Sequence, residues 1–309
     1  MKLCRFLNAD HIQLGFYLED RSVVPLKSVA HAIGVYDIQA TNLLDLLPGG
    51  KFWELSQRLA VAVTPEILDE HALPLSAVKL LTPLPAPGKL LLLAGNYADH
   101  IREGGGEPED RSKTFPYVFM KPLTTLTHPG DPIRIPAVSP DQIDWELELA
   151  VIIGKTGTHL SAETALDVVA GYTVVNDVSD RSFRPNPQRV SRPRDPFFDW
   201  LHGKWHDTFC PMGPCILPAT ECADPQSLQM TLSVNGQIEQ NGTTAEMVFP
   251  VREILVFLSS FMTLHPGDVI CTGTPAGVGK AKGRFLKGGD VVEAKIEGIG
   301  SLINPVTGP

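Results

Sequence analysis

Four acidic residues mark the place where this chain could do chemistry. Asp144, Glu146 and Glu148 alternate with Trp145, Leu147 and Leu149, and the run continues as Ala150-Val151-Ile152-Ile153-Gly154. Alternation passing into a continuous apolar run predicts a strand entering a buried sheet. On a strand the three carboxylates share one face and the apolar residues the other. Like charges so placed repel and resist burial unless a cation neutralises them. A hard divalent ion suits carboxylate oxygens, and Mg²⁺, Mn²⁺ and Ca²⁺ all qualify. Taken alone, the motif equally describes an edge strand with a solvated acidic face.

A second apolar stretch, Gly171-Tyr172-Thr173-Val174-Val175, ends abruptly in Asn176-Asp177. Between the two lies Ser161 to Ala170, with Ser161 as an N-cap, Glu163 in the first turn and Gly171 as the stop, which predicts a connecting helix. Strand, helix and strand would bring Asp177 back to Glu146 and Glu148 as a third ligand. Upstream, the leucine-rich Lys89 to Gly95 predicts a buried strand that breaks into Asn96-Tyr97-Ala98-Asp99-His100-Ile101-Arg102-Glu103. His100 and Glu103 are three positions apart, on one face of a helical turn. A carboxylate on one imidazole nitrogen raises the basicity of the other, as a general base requires; a surface ion pair of little value is the competing reading. Gly104 to Thr114 reads as a mobile loop that could act as a lid. Lys121 closes another apolar strand, where a buried cation would need an anion.

Composition narrows the classes. The chain has 309 residues, 26 Lys and Arg against 35 Asp and Glu, and a net charge of -9, which argues against nucleic acid or an anionic membrane as partner. Gly and Pro, 27 each, suit many tight turns between strands. No apolar run approaches bilayer length, the first residues resemble no secretory signal, and five cysteines without C-x-x-C spacing read as reduced thiols in a cytoplasmic protein.

Residues 1–82 read as a small α/β module, with a hairpin around Leu14, Phe16, Leu18 and Val23-Val24 and a helix at Phe52, Leu55, Leu59 and Ala62. The proline-rich Thr82 to Gly88 reads as a linker to a second domain at 83–309. There, Asn235-Gly236 predicts a hairpin turn. Ile254, Leu255, Leu258 and Phe261 predict a core-facing helix. Thr272-Gly273-Thr274-Pro275-Ala276-Gly277 forms a glycine-rich turn whose amides and Thr274 hydroxyl could hold a substrate carboxylate; a plain tight turn fits as well. Lys280, Lys282, Arg284 and Lys287 read as a solvated basic face.

From about Gly95 to Pro309 the chain resembles the fumarylacetoacetate hydrolase family. The matching blocks include Gly95-Asn96-Tyr97-Ala98-Asp99-His100, Phe119-Met120-Lys121-Pro122, Asp144 to Leu149, and Asn176-Asp177-Val178-Ser179-Asp180-Arg181. Gly203-Lys204-Trp205-His206-Asp207 to Pro214, Val234-Asn235-Gly236, Gly267-Asp268-Val269-Ile270 and Thr272 to Gly279 follow in order. The resemblance implies an α+β, predominantly β fold of the mixed-sheet roll or sandwich kind. It implies a Mg²⁺-type metal on Glu146, Glu148 and Asp177, a His100–Glu103 dyad, a catalytic Lys204, and a homodimer. It places Lys121, Arg181, Gly273 and Thr274 against substrate. Arg184 stands where many members carry glutamine and opens an arginine-rich run through Arg189, Arg192 and Arg194; one of these forks could select a second acidic group.

The expected activity is metal-dependent hydrolysis of a C–C bond in a 2,4-dioxo acid of the acylpyruvate or fumarylacetoacetate type. His100 would take a proton from water, and the metal and Lys204 would stabilise the enolate that leaves. Decarboxylation, hydration or isomerisation of a related oxo acid, oxaloacetate among them, is the alternative within the family; a non-catalytic oxo-acid-binding protein is the alternative outside it.

Overall fold

The computed structural model describes residues 1–108 and 110–309; Glu109, inside the segment expected to form a lid, lies outside the described residues. Strands dominate, and the longest helices, Trp53–Val61 and Val251–Ser259, have 9 residues each. A 12-stranded mixed sheet runs through Lys2–Asn8, Cys210–Pro218, Val169–Asn176, Leu147–Ile153, Val269–Cys271, Leu90–Ala94 and Tyr117–Met120 in that spatial order, the last forming its edge. A 5-stranded sheet, from Gln237–Thr243 to Ile133–Arg134, packs against it. The N-terminal strands belong to the large sheet: Lys2–Asn8 pairs with Cys210–Pro218 at Leu3 and Ile216. The result is α+β and predominantly β, as the family resemblance implies.

Leu147–Ile153 is buried along its whole length because both of its faces are covered. Leu147, Leu149, Val151 and Ile153 face the 5-stranded sheet and meet Leu232, Ile296 and Leu302. Ala150 and Ile152 face the other way, into a core shared with Val175, Met212, Leu43 and Leu59. Glu148 shares that second direction by strand alternation. A carboxylate therefore enters the interior on a face otherwise filled by hydrocarbon.

The helix expected over Ser161 to Ala170 does not form. Only a 3₁₀ turn, Ala165–Val168, precedes a strand that begins at Val169. Leu147–Ile153 and Val169–Asn176 run antiparallel, and an antiparallel pair needs no helical crossover. Gly171 is consequently no helix stop. It lies within the strand, where a Cβ would stand 2.4 Å from the Leu217 carbonyl oxygen. The helix Val251–Ser259 buries Ile254, Leu255 and Leu258, but Phe261 falls beyond its end and is exposed. Asn235 and Gly236, at φ 52° and 79°, form the expected hairpin turn. All five cysteines are free thiols. Among the described residues no helix is long and apolar enough to cross a membrane.

The close approach at Gly171 yields a stability prediction. Gly171→Ala should destabilise the protein by about 1–3 kcal/mol, the usual range for overpacking. Urea unfolding would show it as a lower midpoint with an unchanged slope; an unshifted midpoint would mean that the two strands separate at no cost.

Candidate active site

The acidic residues meet because of strand register. Leu147 pairs with Asn176, so Glu146, just before one strand, and Asp177, just after the other, lie at the same end of the pair. The Asp177 amide donates to the Glu146 carbonyl at 2.8 Å, and the Glu146 amide donates to Asn176 Oδ1 at 2.9 Å. Glu146, Glu148 and Asp177 are all buried, and each offers a carboxylate oxygen within 4.8 Å of the others. Asp144 takes another course: it accepts from the Gly279 and Lys280 amides at 2.6 and 3.1 Å and from Arg181 Nε at 2.8 Å.

Three cations surround the triad. Lys121 Nζ donates to Asp177 Oδ1 at 2.5 Å and to the carbonyls of Val178 and Phe209 at 3.0 and 2.6 Å, which supplies the anion expected for that lysine. Lys204 Nζ donates to Glu146 Oε2 at 2.7 Å and also to Asp177 Oδ2. Arg181 joins Asp144 to Glu146. Burial pushes the Glu146 carboxyl up, but Lys204, Arg181 and His100 together hold it well below the ordinary range. Burial disfavours the Lys204 ammonium, yet Asp177 and Glu146 outweigh it and raise its pKa.

Glu148 differs from its neighbours. Burial, then the charges of Asp177 and Glu146, push its carboxyl well above the usual value. One oxygen, Oε2, accepts from the Gly273 amide at 2.8 Å. The other, Oε1, is buried without a hydrogen-bond partner among the described residues. A bare buried carboxylate oxygen is costly, and here it belongs to a cluster of hard oxygen donors of the kind Mg²⁺ or Mn²⁺ takes. The residues fit a divalent cation.

Beside the triad, His100 and Glu103 form the expected dyad on the helix Ala98–Glu103, with Nδ1 and Oε1 2.7 Å apart. Burial pushes the Glu103 carboxyl up, but its bond to His100 and the Gly277 amide (2.8 Å to Oε2) more than offset this, and it stays ionised. An ionised Glu103 assigns the Nδ1 proton to the shared bond and leaves Nε2 as the basic nitrogen.

The glycine-rich turn serves both halves of the site. Its Gly273 amide goes to Glu148 and its Gly277 amide to Glu103, so neither is left for a substrate carboxylate as the sequence suggested. Gly277, at φ 106°, has the Glu239 carbonyl oxygen 2.2 Å from where a Cβ would stand. Lys282 and Arg284 pair with the buried Glu239 carboxylate instead of forming a solvated basic face. Thr274 is buried, and its hydroxyl oxygen accepts from Gln240 Nε2 at 2.8 Å, which leaves its own hydrogen free to donate. Sequence reasoning missed Gln240. Fully buried, it also accepts from the Leu147 amide at 2.9 Å and donates to the Pro275 carbonyl at 2.7 Å, tying the acidic strand to the turn. Its place shortly after the Asn235-Gly236 turn was the available signal. Of the arginine-rich run, Arg189 and Arg192 are ion-paired with Asp195 and Asp199, while Arg184 is exposed.

Comparison with known proteins follows the same lines. The family model described as fumarylacetoacetate (FAA) hydrolase C-terminal matches residues 89–307. The chain belongs to the fumarylacetoacetate hydrolase family. It is 41% identical over 236 residues to the human mitochondrial oxaloacetate tautomerase FAHD2A, covering 76% of this chain and 71% of that protein. The Xenopus laevis mitochondrial oxaloacetate tautomerase fahd2 is 40% identical over 241 residues, 77% of this chain and 71% of the relative. Among solved structures, a fumarylacetoacetate hydrolase from Exiguobacterium antarcticum superposes with a TM-score of 0.77 at 32% identity, covering 100% of both chains. A maleylpyruvate hydrolase from Sphingobium sp. SYK-6, in complex with manganese and pyruvate, gives 0.75 at 31%, covering 100% of this chain and 99% of that one. Metal-dependent processing of oxo acids is common ground in this family.

If the bare oxygen of Glu148 marks a metal ligand, Glu148→Gln should weaken Mn²⁺ binding by at least about 10–100-fold, the scale already seen when groups behind the ligands are lost. Calorimetric titration with Mn²⁺ checks this, and unchanged affinity would remove Glu148 from the ligand set.

Proposed function

We propose that this chain is a divalent-metal-dependent enzyme that interconverts the enol and keto forms of an oxaloacetate-type 2-oxo acid. The observation that carries the reading is a His100–Glu103 dyad fixed beside a buried carboxylate triad with one unpartnered oxygen. C–C hydrolysis, favoured by the sequence, becomes the second reading because relatives at 40–41% identity are named oxaloacetate tautomerases. It keeps a place because the structurally similar maleylpyruvate hydrolase, at 31% identity, holds manganese and pyruvate.

Glu146, Glu148 and Asp177 would hold Mg²⁺ or Mn²⁺, with Ca²⁺ a further hard cation suited to oxygen donors. When bound, the cation supplies Lewis-acid polarisation of a 2-oxo acid. His100 Nε2 takes a proton from the carbon beside the oxo group and returns one to oxygen, or runs the exchange backwards; the proton count balances without a co-reactant. Glu103 keeps the imidazole in the required tautomer. Lys204, held as an ammonium beside the acids, stabilises negative charge as it develops on the enolate oxygen. The Thr274 hydroxyl donates to the substrate carboxylate, and Lys121 and Arg181 fix the acids rather than the substrate. In the hydrolytic reading the same Nε2 takes its proton from water. A homodimer belongs to this proposal: the edge strand Tyr117–Met120 presents Tyr117 and Met120, with Phe115 and Phe261, as exposed apolar surface beside an unpaired sheet edge.

The test is to mix the protein with the enol of oxaloacetate and follow the loss of enol absorbance. The decay should outrun the spontaneous rate, stop on chelation and return with Mg²⁺. His100→Ala should slow it by roughly 10²–10⁴ while Mn²⁺ affinity stays near wild type. Rapid cleavage of acylpyruvates with no acceleration of enol decay would put hydrolysis first.

A further inference from the structure

Of the three cations around the triad, Arg181 alone is shared with a carboxylate outside it. Lys121 meets Asp177 and otherwise two neutral carbonyls, those of Val178 and Phe209. Lys204 meets Glu146 and Asp177. Arg181 reaches Glu146 with one terminal nitrogen and gives its Nε to Asp144 Oδ2 at 2.8 Å.

Asp144 is fully buried and lies outside the oxygen cluster that could coordinate an ion. A fourth buried acid so close to the triad adds to the repulsion there, and needs a reason. Its surroundings are built for a carboxylate. Oδ1 accepts from the Trp145 amide at 2.9 Å and the Gly279 amide at 2.6 Å. Oδ2 accepts from the Lys280 amide at 3.1 Å as well as from Arg181. Burial pushes the carboxyl up and Arg181 draws it back; all four partners are N–H donors and none can take a proton from it, which suits the ionised form. At Gly279 there is no room for a side chain, because a Cβ would stand 2.7 Å from Asp144 Oδ1 and 2.1 Å from the Arg284 carbonyl oxygen.

An Arg181 whose charge fell wholly on Glu146 would repel a divalent ion approaching that carboxylate. Paired with Asp144, the guanidinium carries little net charge, so it can orient Glu146 and still leave that acid's charge to the metal. We propose that Asp144 is a positioning residue: it is the counter-charge that lets Arg181 fix Glu146 without cancelling it, and so it sets the affinity of the triad for a cation. This rests on the reading of the triad as a metal site.

The test measures Mn²⁺ affinity by calorimetry in wild type, Asp144→Asn and the double variant Asp144→Asn/Arg181→Gln. Asp144→Asn keeps the shape, removes one negative charge and should weaken Mn²⁺ binding by about 10–100-fold, the scale for groups behind metal ligands. The double variant restores the local charge balance and should recover most of that loss, whereas a role confined to holding the Gly279 and Lys280 amides predicts no recovery. A trivalent ion, La³⁺, should lose more affinity than Mn²⁺ in Asp144→Asn, because the Coulomb energy grows with ionic charge. Unchanged Mn²⁺ affinity in Asp144→Asn, no recovery in the double variant, or equal losses for the two ions overturns the proposal. Should Asp144→Asn fail to fold, Arg181 left without its partner is the cause, and the double variant decides alone: it must fold and bind Mn²⁺ within about tenfold of wild type. A wild type that binds no Mn²⁺ removes the metal reading and this proposal with it; failure in the variants alone removes only the proposal.

Discussion

Burying three carboxylates within 4.8 Å of one another is the constraint on which this structure depends. Desolvation and mutual repulsion both oppose it. Lys121, Lys204 and Arg181 offset most of the charge, and the Gly273 amide satisfies one further oxygen. The cations reach Glu146 and Asp177 but not Glu148, which is left with a raised pKa and a bare oxygen. A divalent cation removes that deficit, because it supplies charge and coordination at the Glu148 oxygen that no hydrogen bond among the described residues reaches. The site is thus incomplete in one specific place, and the incompleteness is what suits it to a metal.

The fold answers this constraint through antiparallel pairing. An antiparallel pair brings Glu146 and Asp177 to the same end without a crossover helix. The turn from Thr272 to Gly277 then joins the two chemical halves, giving one amide to Glu148 and another to Glu103. Asn96 and Gln240 hold that turn from opposite sides, Asn96 by donating to the Thr272 carbonyl at 2.8 Å and Gln240 through Thr274 and Pro275. Glu148 and the His100–Glu103 pair are therefore positioned by a common segment, so a shift in the turn would disturb both.

Much of this was legible in the sequence where local rules govern. Alternation around Glu146 and Glu148 gave their strand, Asn235-Gly236 gave a hairpin in the 5-stranded sheet, and the three-residue spacing of His100 and Glu103 gave the dyad. The reading failed where tertiary partners decide. Gly171 carries the signature of a helix stop, but only the Leu217 carbonyl, forty-odd residues away, explains why it must be glycine. Lys282 and Arg284 looked solvated because Glu239, their partner, comes from a distant hairpin. Gln240 looked like any polar strand residue until its amide was found joining two separate segments. The matching blocks identified the family, but an arginine-rich run such as that from Arg184 to Arg194 shows its meaning only when the ion pairs that engage Arg189 and Arg192 are known.

The most direct test of the account is anomalous diffraction from crystals grown with Mn²⁺ and collected at the manganese edge. The account predicts one strong peak within coordination distance, about 2.0–2.3 Å, of oxygens from Glu146, Glu148 and Asp177. A peak elsewhere, or an empty triad in crystals soaked to saturation, would contradict the claim that these buried acids exist to hold a metal.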